Sequence, residues 1–390
     1  MGRTERESGG IRQIQAFPGK IVGCRDKSIY LLFGGRVVMR RSALLYIIAI
    51  VSLLGCASDN IAKKEADAPC PEICNVVQRY LLNANLPELE HVEVWENKYG
   101  SGLKLTTEHY EIFTTLLKPL MLCQIPGFME SVNAAYNQQL PEPVQAKSRL
   151  KIYLFADRRQ WEDFTRDFTG EQADIFCQIQ AGAYYYNGMC VAYDIGWQRT
   201  ICVLAHEGWH QFSDSYFTFR LPSWLDEGVA MLFESYSAEN GRFHFEPVNN
   251  TYRLDELRKT LSNDKMMPLE ELIATHPGDV LATDQTEAVM AFYSQSYALV
   301  RFLREARCGR YSSTYGKLLA DGLKGDWPLD GMSKMIAVDR TMPRNVLWNH
   351  IVGLVLFQEY IGIDFEPVEK EYLAFCRQIT AQNETLSTKH

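Results

Sequence analysis

The chain has 390 residues, 46% apolar, 23% charged and 12% aromatic, the proportions of an ordinary globular protein, which exclude disorder or a fibrous repeat as a description of the whole. Its formal charge is 40 − 48 = −8 with no long Lys/Arg run, so the electrostatic footprint of a nucleic-acid binder is missing.

Residues 1–38 carry little pattern and read as an extension ahead of a start at Met39. Met39-Arg40-Arg41 is basic, Ala43 to Leu54 is apolar except for Ser52, and Leu53-Leu54-Gly55-Cys56 closes the segment. The apolar run has 12 residues, whereas a helix that spans a bilayer needs about 20. Residues 39–55 therefore resemble a bacterial lipoprotein signal peptide, with Cys56 as the lipidated first residue of the mature chain. That resemblance implies a protein anchored by lipid in the cell envelope, facing the periplasm or the exterior. Ala57 after the cysteine points to the outer membrane. Residues 1–56 hold nine Lys/Arg and three Asp/Glu, so the remainder has 31 basic and 45 acidic residues, a net of −14. Eight cysteines remain beyond Cys56: Cys70, Cys74, Cys123, Cys177, Cys190, Cys202, Cys308 and Cys376. An even number in an oxidising compartment favours disulfides, in a pairing that sequence cannot choose.

Residues 56–69 are rich in Lys, Glu, Asp and Ala and suit a tether. Leu103 to Thr114 is strand-like, and Leu116 to Leu140 has helical spacing. Leu150 to Phe155 is a strand, stopped by Asp157, which with Gln160 forms a capping-box start for a helix carrying Trp161, Phe164 and Phe168. Asn187-Gly188 between two β-prone runs signals a hairpin with a type I′ turn. After Gly196 the pattern is mainly helical. The expected class is α+β: an N-terminal α/β lobe over residues 70–195, a helical lobe over 196–390, and one domain with its site where the lobes meet.

His206-Glu207-Gly208-Trp209-His210 places two imidazoles four apart on one helix face, where both reach one metal ion. Glu207 points to the same side and serves as general base without being a ligand. Pro222-Ser223-Trp224-Leu225-Asp226-Glu227-Gly228 begins a second helix that aims Glu227 back at the first as third ligand. Two imidazoles and one carboxylate leave a tetrahedral position open for water and suit Zn2+ best, one ion per chain.

These two motifs together resemble the gluzincin zinc metallopeptidases, the thermolysin-like and aminopeptidase-N-like group whose third ligand is a Glu on the following helix. The resemblance extends loosely over residues 100–305 and implies a zincin-like core that hydrolyses peptide bonds with a metal-activated water and Glu207 as base. It also suggests that Tyr293 or Tyr297, four apart on a helix, donates to the oxyanion, with Tyr293 the choice. Asp214 and Asp226 stay open as alternative ligands. Asp226 has two further readings, a capping box with Ser223 and a carboxylate that orients a ligating imidazole. Cys202, one turn before His206, reads as packed or disulfide-linked, and His244, His276 and His350 as surface or structural. Aminopeptidases of this group grip the substrate amine with a Glu in a Gly-x-Met-Glu-Asn strand. Gly182 to Asn187 has no acid, so the expectation is an endopeptidase whose hairpin edge pairs with an extended polypeptide. The alternative is a non-catalytic envelope lipoprotein that uses the same fold to bind a partner.

Overall fold

A computed structural model describes residues 71–180, 182–239, 241–278 and 286–387. Residues 1–38, the signal segment 39–55, Cys56, the tether and Cys70 lie outside the described residues.

The first half of the described chain builds α1 (Pro71–Asn83), β1 (His91–Val94), β2 (Leu103–Thr106), β3 (Tyr110–Thr114), α2 (Pro119–Asn137), β4 (Leu150–Phe155), α3 (Arg158–Thr169), α4 (Ala173–Phe176), β5 (Ala183–Tyr186) and β6 (Met189–Tyr193). The sheet order is β1-β2-β3-β4-β6-β5, so β5 is an edge. The pairs β3–β4 and β4–β6 are parallel, and the others are antiparallel. The fold is thus mixed α and β with a mixed sheet. Leu103 to Thr114 is two strands and not one, because Thr107 accepts from the Tyr110 amide and turns the chain between them.

Alternation along the strands sorts side chains onto two faces. Leu150, Ile152 and Leu154 of β4, with Cys190 and Ala192 of β6, join the main core with α2 and the helices that follow. Phe155, Val191 and Tyr193 point the other way, onto Trp161 and Phe164 of α3. Asp157 caps α3 by accepting from the Gln160 amide at 3.0 Å. Asn187 and Gly188 take φ of 47° and 81°, the type I′ turn that their identities require.

The second half carries α5 (Trp197–Tyr216), α6 (Ser223–Ala230), the hairpin β7 (Tyr236–Glu239) and β8 (Arg242–Phe245), α7 (Thr251–Ser262), α8 (Leu269–Ala274), α9 (Thr286–Gly309), α10 (Ser312–Lys324), α11 (Gly331–Val338) and a final helix Phe365–Ser387. The β7–β8 hairpin departs from the mainly helical expectation; its alternate residues Tyr236, Phe243 and Phe245 pack on Phe128 of α2. Among the described residues no two cysteines are joined by a disulfide, so the expected pairing is not seen among them. They are dispersed through the fold: Cys74 on α1, Cys190 inside the sheet and Cys376 on the final helix are each packed into the core. Among the described residues no single helix is long and apolar enough to cross a membrane.

Candidate metal centre

The start of α5 is fixed by Asp194, which accepts from the Gly196 amide at 2.9 Å and from Thr200 Oγ1 at 3.3 Å. From there Ile201, Leu204, Ala205, Trp209 and Phe212 pack into the main core. Gly208 is needed for close approach: a Cβ there would lie 2.6 Å from the hydroxyl of Tyr136, which donates to the carbonyl of Ala205. Helix α6 is buried along its whole length. Gly228 lets it lie against α9, since a Cβ would meet the carbonyl oxygen of Ser296 and a methyl of Val300, both at 2.5 Å.

This packing brings His206, His210 and Glu227 together, with one potential ligand atom from each lying within 4.8 Å of the others. Glu227 Oε2 is 3.4 Å from His206 Nε2 and 3.6 Å from His210 Nε2. All three residues are at most 2% exposed. Neither His206 Nε2 nor Glu227 Oε2 has a hydrogen-bond partner among the described residues. Buried polar atoms that converge without donors between them are the signature of a cation site, because leaving such groups unpaired is costly. The cluster can hold a metal ion.

The far nitrogen of each imidazole faces a carboxylate. His206 Nδ1 is 2.8 Å from Glu234 Oε1, and His210 Nδ1 is 3.2 Å from Asp226 Oδ2. Each carboxylate is held in turn. Glu234 accepts two bonds from Arg253, at 2.7 and 2.8 Å, and one from Asn250 Nδ2 at 3.0 Å. Asp226 accepts from Arg344 Nη1 at 2.9 Å and Ser213 Oγ at 3.1 Å. Burial alone would raise all three acids, yet the paired cations win: His210 and Arg344 hold Asp226 well below the usual carboxylate range, Arg253 does the same for Glu234, and His210 and His206 bring Glu227 down to about 2. Glu207 is different. Burial pushes its carboxyl up, and the two imidazoles and the Tyr185 backbone only partly offset that.

Asp226 therefore orients His210 and does not cap α6. The residue ahead of that helix is Pro222, with no side-chain cap, and Ser223 Oγ instead lies 2.9 Å from His276 Nδ1. Asp214 stands apart from the cluster, accepting from Tyr185 Oη at 2.6 Å and pairing with Arg340. Cys202 Sγ donates to the carbonyl of Glu234 at 3.0 Å, a packed thiol. His276 is buried, while His244 and His350 are exposed.

The tyrosines separate clearly. Tyr297 donates its hydroxyl to the carbonyl of Pro247 and accepts from Arg301 Nη1 at 3.1 Å. Tyr293 is 2% exposed, and its hydroxyl has no partner among the described residues. Burial and the nearby carboxylates of Glu227 and Glu207 raise its pKa well above the ordinary value, so it is a neutral O–H donor.

Sequence reasoning did not find Glu234, Arg253, Asn250 or Arg344. One signal was available for Glu234: it follows Glu227 by seven residues, two helical turns on the same face.

Residues 200–320 match the model of a family described as a protein of unknown function, DUF1570. That span contains the His pair, Glu207, Asp226, Glu227, Glu234, Arg253 and Tyr293, but not Arg344. No curated protein and no solved structure is matched by the chain.

Proposed function

We propose that this protein is a zinc-dependent endopeptidase of the gluzincin type, with a zincin-like core, held in the bacterial cell envelope by a lipid on Cys56. The observation that carries the reading is the convergence of buried ligand atoms: His206 Nε2, His210 Nε2 and Glu227 Oε2 come together on residues at most 2% exposed, and His206 Nε2 and Glu227 Oε2 have no hydrogen-bond partner among the described residues. Leaving such groups unpaired is costly, and one dication bound between them offsets that cost.

His206, His210 and Glu227 would hold the zinc. Bound there, zinc supplies Lewis acidity toward a substrate carbonyl and makes a nearby water easier to deprotonate. Glu207 takes the proton of the attacking water and passes it to the leaving amine, a role that the rise in its proton affinity on burial favours. Tyr293 offers an unspent hydroxyl to the oxygen on which negative charge develops. Tyr193 donates to Gly182 on the edge hairpin, so the ladder bonds fall on alternate residues and the backbone groups of Ala183 face outward. A polypeptide substrate adds to that edge as a further strand.

The closure of the site favours a second reading, an envelope lipoprotein that binds a partner and performs no hydrolysis. His206, Glu207, His210 and Glu227 are each at most 2% exposed. Metal analysis of purified protein, with hydrolysis of an unstructured protein substrate by wild type and Glu207→Gln, decides between them. Zinc with cleavage that Glu207→Gln abolishes supports the peptidase; zinc without cleavage supports the second reading.

A further inference from the structure

Residues 339–345, between α11 and the short helix Val346–Trp348, are strapped onto the connection between α5 and α6 by Arg220, Arg340 and Arg344. From the connection, Arg220 Nη1 donates to the carbonyls of Asp339 at 3.0 Å and Met342 at 2.5 Å. From the strap, Arg340 pairs with Asp214 at 3.0 Å and donates to the carbonyl of Phe217 at 2.7 Å. Arg344 Nη1 donates to the carbonyl of Leu221 at 2.5 Å and to Asp226 Oδ2 at 2.9 Å. The helix with both imidazoles and the helix with Glu227 are thus joined by a short turn that a distant stretch of chain holds in place.

We infer that Arg344, carried on the strap 339–345, is a positioning residue for the metal centre, acting through Asp226 on His210. The inference rests on the zinc reading above. Asp226 Oδ2 is shared between Arg344 and His210 Nδ1. An imidazole whose Nδ1 is ion-paired with a fixed carboxylate is held in one ring orientation, with Nε2 turned toward the ligand cluster. Here Nε2 is the atom that faces Glu227. Without the guanidinium, Asp226 keeps the Ser213 hydroxyl but loses a buried counter-charge, and a carboxylate weakened in this way no longer holds the ring firmly. His206 is oriented by a separate set, Glu234 with Arg253 and Asn250. Loss of Arg344 therefore disturbs one of two ligating imidazoles and weakens the centre without abolishing it.

The test uses the full chain and Zn(II), with affinity read by competition against a chromogenic chelator and the melting temperature of the metal-free form recorded alongside. Arg344→Gln should weaken zinc binding about 10–100-fold, and Arg344→Lys, which keeps the charge but not the fork, should recover part of that loss. Arg340→Gln loosens the strap through a half-exposed pair that does not touch Asp226, and should change zinc affinity by less than about threefold. With Co(II) in place of zinc, the visible spectrum should shift in Arg344→Gln and not in Arg340→Gln. Equal losses for the two variants would mean general loosening and overturn the inference, as would unchanged affinity in Arg344→Gln. Should Arg344→Gln fail to fold, Arg344→Lys with Asp226→Asn replaces it: losses in the double variant that simply add would overturn the path through Asp226. Wild type that takes up no zinc removes the zinc reading itself; wild type that binds zinc beside an unaffected Arg344→Gln removes only the positioning role.

Discussion

His206 Nδ1 lies 2.8 Å from Glu234 Oε1, and Glu234 is gripped on both oxygens by Arg253, so an imidazole of the candidate metal centre is aimed by an ion pair on neighbouring elements. The two imidazoles take their carboxylates in opposite order along the chain, the earlier His206 from the later Glu234 and the later His210 from the earlier Asp226.

From that arrangement His206→Ala and Glu227→Ala should each lose most of the zinc, since two ligands rarely keep it against a chelator. Glu234→Gln leaves all three ligands and should cost about 10–100-fold in zinc affinity. Metal content after dialysis against a chelator checks both. Full zinc in Glu227→Ala would remove Glu227 from the ligand set.

Glu207→Gln is nearly isosteric and should keep fold and zinc while losing about 10²–10⁴-fold in turnover, because an amide cannot accept the proton. Tyr293→Phe should cost roughly 10²–10³-fold and Tyr297→Phe much less, since the Tyr297 hydroxyl is already engaged. Steady-state rates on one peptide substrate rank the three.

Gly228→Ala should destabilise the protein by about 1–3 kcal/mol, because its methyl would meet the Ser296 carbonyl of a helix backbone, which cannot swing aside, as well as a Val300 methyl. Denaturant midpoints measure this. A neutral result would mean that α6 and α9 can part without cost.

Asp194 supplies a pH dependence. Burial would raise its carboxyl, but Lys118, the Gly196 amide and Thr200 outweigh that and hold it below the ordinary carboxylate value. A depressed folded-state value stabilises the fold above the unfolded carboxylate pKa, and that contribution is lost as pH falls through the depressed value. Asp194→Asn should therefore be less stable at neutral pH and nearly equal to wild type in strong acid, as acid titration of both melting temperatures will reveal.

Cys56→Ser should release the protein from membranes, because a chain of net −14 without its lipid gains nothing from an anionic surface. Fractionation in which the variant pellets like wild type would count against the lipoprotein reading.

Much of the site could be read in the sequence because it rests on local spacing. His206 to His210 is one helical turn, Glu227 opens the next helix, and Asn187-Gly188 dictates its own turn. What escaped is what the chain assembles over distance. Arg344 reaches Asp226 across 118 residues, and nothing in its neighbourhood marks it. The parallel pairing of β3 with β4 and of β4 with β6 likewise leaves no local trace. Asp226 stayed open between two readings because Ser-x-x-Asp is also a capping pattern, and the cation at Arg344 and the imidazole at His210 claim the carboxylate once the chain is folded.

The backbone contact at Gly228 has a dynamic consequence. Where two helices touch main chain to main chain with no side chain between them, neither can open alone, so exposing an amide there requires parting both. Amides in the middle of α6 and of α9 around Ser296 should therefore exchange with solvent only through opening events close in free energy to complete unfolding, while those of the β7–β8 hairpin, half-exposed along both strands, exchange through small local ones.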